Sequence, residues 1–287
     1  GKPVFAQLIG EDLVHLERMT RDLAGYPIAG IDLNLGCPAP KVYRKNVGGG
    51  LLRDPRRVDE ILGLLREASP ALFTVKMRLG IEDKANFPAL LELMNKHRVD
   101  LLSLSGRTVK GLYRSEVDYS AIAEAVRAVS CPVLANGDID SAGKAAWCLQ
   151  ETGCRGVMVG RGAIRNPWIF RQLREHREGR PVFQPRLRDV RAYAEDLHAL
   201  LFNPHIPERK MCGKIKKFLN FVGQGVDPSG NFLHAMRRAQ TLQELYSICD
   251  QYMLGPLAEE PFACKPYPGL VARPNAESPS QPAACAL

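Results

Sequence analysis

Ile31-Asp32-Leu33-Asn34-Leu35-Gly36-Cys37-Pro38 is followed, after a short basic segment, by Gly48-Gly49-Gly50-Leu51-Leu52-Arg53-Asp54. An apolar run ends at a polar Asn and turns through Gly-Cys-Pro. It then passes a loop bearing Lys41, Arg44 and Lys45 and meets a glycine run that opens a helix. Gly36 frees the backbone beside Cys37, and Pro38 fixes it just after. A thiol held this way among lysines and arginines has the setting of a chemical group. A small buried apolar filler is the competing interpretation.

The same signature, a short apolar run closed by polar or glycine punctuation, recurs at 3–9, 30–35, 72–77, 101–104, 132–135 and 156–159. Continuous apolarity predicts parallel strands buried on both faces. Helical patterns fill the intervals at 12–24, 55–67, 88–97, 119–129 and 141–152, with Pro55 and Ser141 where helix starts favour them. Polar residues close nearly every run: Gln7, Asn34 with Cys37, Lys76 with Arg78, Ser105 with Arg107, Asn136 with Asp138, and Gly160 with Arg161. In a barrel these ends meet on one face, whereas an open sheet uses a single crevice. The expected fold is therefore α/β, a TIM-type (β/α) barrel with six of its eight strands, the first two βα units lying outside the sequence.

Beyond Arg161 the pattern becomes helical, at 187–202, 210–222 and 231–238. Met211, Ile215, Phe218 and Val222 recur at helical spacing beside Lys210, Lys214 and Lys217. From about residue 256 the chain is rich in Pro, Ala and Ser, as tails are. The expected division is a barrel at 1–180, a small all-α domain at 181–255 and a disordered tail at 256–287.

No run is long and apolar enough for a membrane span. None of the eight cysteines forms a C-x-x-C pair, so a zinc ribbon or redox dithiol is not indicated. Scattered thiols point to the cytoplasm. The net charge of +8 turns attention to polyanionic partners.

Lys76 at a strand end suits an electron-rich ring that gains negative charge on reduction. Asn136-Gly137-Asp138 and Gly160-Arg161-Gly162 close the last two strands, where barrels commonly bind phosphate. Cys37 could act as nucleophile, metal ligand or acid. Ligand partners at metal spacing are missing, and no histidine stands at a strand end to serve as base, whereas a general acid needs only position. The lysines of 210–217 suit either a solvated face or phosphate contacts of a nucleic acid.

Taken together, Leu33-Asn34-Leu35-Gly36-Cys37-Pro38, Gly48-Gly49-Gly50-Leu51-Leu52, Val75-Lys76-Met77-Arg78-Leu79-Gly80, Gly106-Arg107-Thr108, Asn136-Gly137-Asp138 and Gly160-Arg161-Gly162 resemble the tRNA-dihydrouridine synthase family over about residues 1–170. The resemblance implies an FMN-dependent reductase that uses NADPH to reduce selected uridines of tRNA to 5,6-dihydrouridine. Cys37 would be the general acid. Gln7 and Lys76 would contact the flavin ring, and Asn136, Gly137, Asp138, Gly160 and Arg161 the ribityl phosphate. Asn34, Arg107, Lys210, Lys214 and Lys217 would contact substrate. A cytoplasmic monomer without metal is expected. The sequence departs from the family pattern in lacking the opening Ala-Pro-Met strand and in carrying Ser105 where a histidine is usual. Two rivals are another FMN barrel acting on a small pyrimidine and a flavin-free tRNA-binding remnant.

Overall fold

The computed structural model describes residues 3–69, 71–113 and 115–264, which cluster into two compact units. The first holds residues 1–139 and 146–159, the second 140–145 and 160 onward.

Among the described residues, six parallel strands form one sheet: β1 (Phe5–Leu8), β2 (Gly30–Leu35), β3 (Leu72–Arg78), β4 (Leu101–Ser105), β5 (Val133–Asn136) and β6 (Gly156–Met158). They lie side by side in chain order. An open doubly wound sheet reverses its order at a switch point, and this sheet does not. The fold is of the TIM-barrel type.

The strands were expected to be apolar on both faces, and here the structure differs. Ile31, Leu33, Leu35, Phe73, Val75, Met77, Leu102 and Leu104 are wholly buried on one face. Asp32 and Asn34, then Thr74, Lys76 and Arg78, then Ser103 and Ser105 occupy the alternate positions, so they share the other face. Register aligns them in rows across the sheet: Gln7 with Asp32 and Thr74, Asn34 with Lys76 and Ser103, and Arg78 with Ser105 and Asn136.

Helices pack on the apolar face because their own apolar residues recur at helical spacing. After α1 (Leu13–Leu23) and the short α2 (Pro40–Tyr43), α3 (Pro55–Ala68) buries Val58, Ile61, Leu62 and Leu65 in one stripe. Each such side chain contributes about 1.5–3 kcal/mol on full burial. Asp54 caps α3 by accepting from the Arg57 N–H (3.2 Å), with Pro55 at the first helical position. Next come α4 (Phe87–Lys96) and α5 (Tyr119–Ala128).

The cap of α5 makes a testable electrostatic element. Burial works against the Asp118 charge, but hydrogen bonds from Lys84 (2.8 Å), Ser120 (2.6 Å) and the Ala121 N–H (2.9 Å) outweigh it and hold the pKa at about 2. A depressed carboxylate stabilises the fold above its ordinary pKa of 3.8, and that stabilisation is lost as pH falls through about 2. Asp118→Ala is expected to cost about 1–2 kcal/mol at neutral pH, discounted for partial solvent screening. Denaturant melts of parent and variant should converge between about pH 4 and 2. A gap that persists at low pH would contradict this assignment.

Helix α6 (Ala142–Thr152) contributes to both units. In the second unit, α7 (Arg161–Arg165) and α8 (Ile169–Arg177) cluster with the helical residues, so this unit begins before the expected residue 181. It continues through α9 (Leu187–Leu201), α10 (Glu208–Val222), α11 (Asn231–Arg238) and α12 (Leu242–Met253), the last of which the sequence pattern did not reveal. Their core includes Val190, Ile215, Leu219, Phe232, Leu245 and Cys249.

Part of the expected tail belongs to this core. Phe262 is buried and meets Trp168 edge-on at 5.7 Å, and the Ala263 N–H donates to the Gly225 carbonyl (3.0 Å). The rest of that tail, from 265 on, lies outside the described residues.

Candidate active site

The polar face of the first unit carries a connected set of side chains. Thr74 Oγ1 donates to Asp32 Oδ1 (2.7 Å), and Gln7 Nε2 donates to Asp32 Oδ2 (2.7 Å). Asn34 Nδ2 donates to Gln7 Oε1 (2.9 Å). Asn34 Oδ1 then accepts the backbone N–H groups of both Gly36 and Cys37, each at 3.0 Å. One strand-end amide thus folds the chain into the Gly-Cys-Pro turn, in the manner of an Asx turn.

The glycine run explains how Cys37 can sit there. Gly48 has φ 58°, and a Cβ on it would stand 3.0 Å from the Cys37 Cβ. At Gly49 a Cβ would come within 2.8 Å of the Cys37 carbonyl oxygen, and at Gly50 within 2.3 Å of the Tyr43 carbonyl oxygen. Only residues without side chains let this segment lie so close beneath the turn.

Arg78 ties the turn down from the next strand. It is buried, and its guanidinium donates to the carbonyls of Gly36 (3.1 Å), Thr108 (2.8 Å) and Leu112 (2.7 Å), with its charge 5.4 Å from the centre of the Tyr113 ring.

Lys76 stands beside Asn34 in the register and is half-buried. Its ammonium makes no hydrogen bond and no ion pair among the described residues. Burial pulls its pKa below the ordinary lysine value, the Arg78 charge adds to this, and Asp32 and Cys37 oppose it. Burial likewise pushes Asp32 up, against the hydrogen bonds from Thr74 and Gln7 and the charge of Lys76. A cation in such a place is poised for an electron-rich or anionic group supplied from outside.

Gln7, Asn34, Cys37 and Lys76 are therefore brought together as expected from their strand ends. Asp32, Thr74 and Ser103 join them from within the strands, and the sequence reading missed them. The signal was present as a polar residue at every second position of Gly30–Leu35 and Leu72–Arg78.

The family model for dihydrouridine synthase (Dus) matches residues 1–252. The chain belongs to the dihydrouridine synthase family. Among its relatives, the tRNA-dihydrouridine(16) synthase of Cupriavidus necator is 31% identical over 255 residues, which cover 87% of this chain and 78% of the relative. The tRNA-dihydrouridine synthase B of Xanthomonas axonopodis pv. citri is 32% identical over 267 residues, covering 91% and 79%. That of Pseudomonas syringae pv. tomato is 39% identical over 176 residues, covering 61% of this chain, which spans 52% of the relative's length.

The other residues singled out in this member of the family are placed differently. Arg107 is buried, donates from Nε to the Ser115 carbonyl (2.6 Å) and pairs with Asp138, so it joins two loops within the first unit. Asn136 donates to the Met158 carbonyl (2.9 Å), and Gly137 takes φ 147°, where a Cβ would meet Val117 at 2.8 Å. In the second unit Gly160 precedes α7, which Arg161 begins, and a Cβ on Gly160 would meet nothing within 4 Å.

On α10, Lys210, Lys214 and Lys217 are exposed. Phe218, expected in the apolar stripe, is 39% exposed beside them, and Leu219 takes the core position instead. Lys216 is spent differently: its ammonium donates to the Arg237 and Ala239 carbonyls, both at 2.7 Å, at the end of α11.

Proposed function

We propose that this chain binds FMN on the polar face of its sheet and reduces uridine in tRNA to 5,6-dihydrouridine, with NADPH as the electron source. The observation that carries the proposal is the half-buried Lys76 ammonium, without a hydrogen bond or ion pair among the described residues, set beside Asn34 and the Cys37 turn in a member of the dihydrouridine synthase family.

The residues present fit such a cofactor. A flavin ring offers carbonyl oxygens and gains negative charge on reduction, and Lys76 is a half-buried cation at that face. Gln7 is exposed and stands at the same face. For the phosphate, Asn136, Gly137 and Asp138 are the proposed contacts of the first unit. Bound and reduced, FMN would supply the hydride that the uracil accepts at C6.

Cys37 completes the addition by giving the proton of its thiol to C5, so the double bond takes up one hydride and one proton. Asn34 fixes the backbone on which the thiol stands, while Arg78 holds the Gly36 carbonyl from below. The uridine must leave its stack to reach this face. Arg107 acts indirectly here, by holding the loops beside the site.

The exposed Lys210, Lys214 and Lys217, with Phe218 among them, are the proposed tRNA contacts. Changing the three lysines to alanine is expected to weaken tRNA binding by about tenfold or more at low salt and to flatten its salt dependence by about two units of log–log slope. FMN uptake should be unchanged. Equal binding by parent and variant across a salt series would remove these residues from the interface.

The reading as a whole is tested by titrating the purified protein with FMN and following its absorbance. Saturation near one equivalent, abolished or greatly weakened by Lys76→Met, is expected. No uptake by the parent would overturn the proposal. No helix among the described residues is long and apolar enough to cross a membrane, and we place the protein in the cytoplasm with its tRNA.

A further inference from the structure

Asp32 lies on the polar face and has no part in the reaction proposed above. Its two carboxylate oxygens are both occupied, one by the Thr74 hydroxyl and the other by the Gln7 amide (each 2.7 Å), so neither is left to receive a ligand along those directions. What the carboxylate does is decide which way its neighbours face.

A carboxylate only accepts, so Gln7 must turn its NH2 toward it. That leaves Gln7 Oε1 on the side of Asn34, where it can only accept, and Asn34 must turn its own NH2 toward Gln7 (2.9 Å). Asn34 Oδ1 is then committed to the turn, where two successive backbone N–H groups converge on it at 3.0 Å each. Reversing either amide would place donor against donor or oxygen against carboxylate, and would break the bonds that link Asp32 to the turn. One charge on β2 therefore sets the sense of two amides and of the turn they hold.

We propose that Asp32 is a positioning residue that, through Gln7 and Asn34, fixes the Gly36–Cys37 turn and thereby the place of the Cys37 thiol. The proposal rests on Cys37 being the reacting thiol, while its test reads the turn alone, without flavin or tRNA. If the turn responds as expected but no dihydrouridine forms, the reaction reading fails and this one stands.

The test is the rate of Cys37 alkylation by iodoacetamide in the full chain, measured by peptide mass spectrometry. Cys148, fully buried in the same unit, reports any general loosening. Asp32→Leu is expected to raise the Cys37 rate by about threefold or more, with Cys148 still protected. Asp32→Asn should restore the parental rate, because its Oδ1 can accept from Gln7 while its Nδ2 donates to the Thr74 hydroxyl. Gln7→Leu should raise the rate as Asp32→Leu does, and the double variant should add nothing further.

An unchanged rate in Asp32→Leu, no rescue by asparagine, or additive effects of the two changes would each overturn the proposal. Should Asp32→Leu expose Cys148, Gln7→Leu carries the test, being a change at an exposed position. An unchanged Cys37 rate there overturns the proposal, and a raised one upholds it.

Discussion

Cys37→Ala is expected to lower the rate of dihydrouridine formation by about 10²–10⁴, the usual worth of a positioned general acid. Alanine keeps the backbone N–H that Asn34 accepts, so the change removes the thiol and spares the turn. Serine at this position should recover little, because its hydroxyl is a far weaker acid than a thiol. The measurement is a time course of nucleosides from digested tRNA, with parent and variants at equal flavin loading. A Cys37→Ala rate within tenfold of the parent would mean that the C5 proton comes from elsewhere, water included.

Arg78→Met should have the largest effect on the fold of the first unit. The side chain is 4% exposed, and its guanidinium is shared among three backbone carbonyls on two loops. Methionine fills much the same space but leaves the carbonyls of Gly36, Thr108 and Leu112 without their donor. Losing a buried charged donor of this kind costs about 3–5 kcal/mol. Burial lowers the arginine pKa, with Arg107 adding to this and Tyr113 opposing it, yet a guanidinium remains charged in proteins. Hydrogen–deuterium exchange should show residues 34–40 and 106–113 losing protection, while the core of α9, α10 and α12 keeps its own. Equal loss across both units would point to global unfolding and contradict a local clamp.

The strands and most helices were legible because each apolar run ends in glycine or a polar residue, and because Pro55 and Ser141 stand where helices begin. Gln7, Asn34, Cys37 and Lys76 were legible as strand ends, which a barrel gathers on one face. Asp32, Thr74 and Ser103 were not, since reading the strands as continuously apolar hides polar residues set at alternate positions within them. Arg107, a substrate contact by the family resemblance, donates from its guanidinium to the Ser115 carbonyl and pairs with Asp138, partners that lie on loops and that no strand pattern announces.

In the helical unit, Phe218 and Leu219 are adjacent, and periodicity alone cannot say which one faces inward. The structure buries Leu219 and leaves Phe218 beside the lysines. Composition over 256–287 averaged away the aromatic anchor at Phe262, which packs on Trp168.

The most direct test of the central claim uses an unmodified tRNA transcript, the purified chain, FMN and NADPH, with the product nucleosides resolved by mass spectrometry. The account predicts a uridine that gains two hydrogen atoms only when FMN and NADPH are both present. A protein loaded with flavin that leaves every uridine unchanged would contradict it.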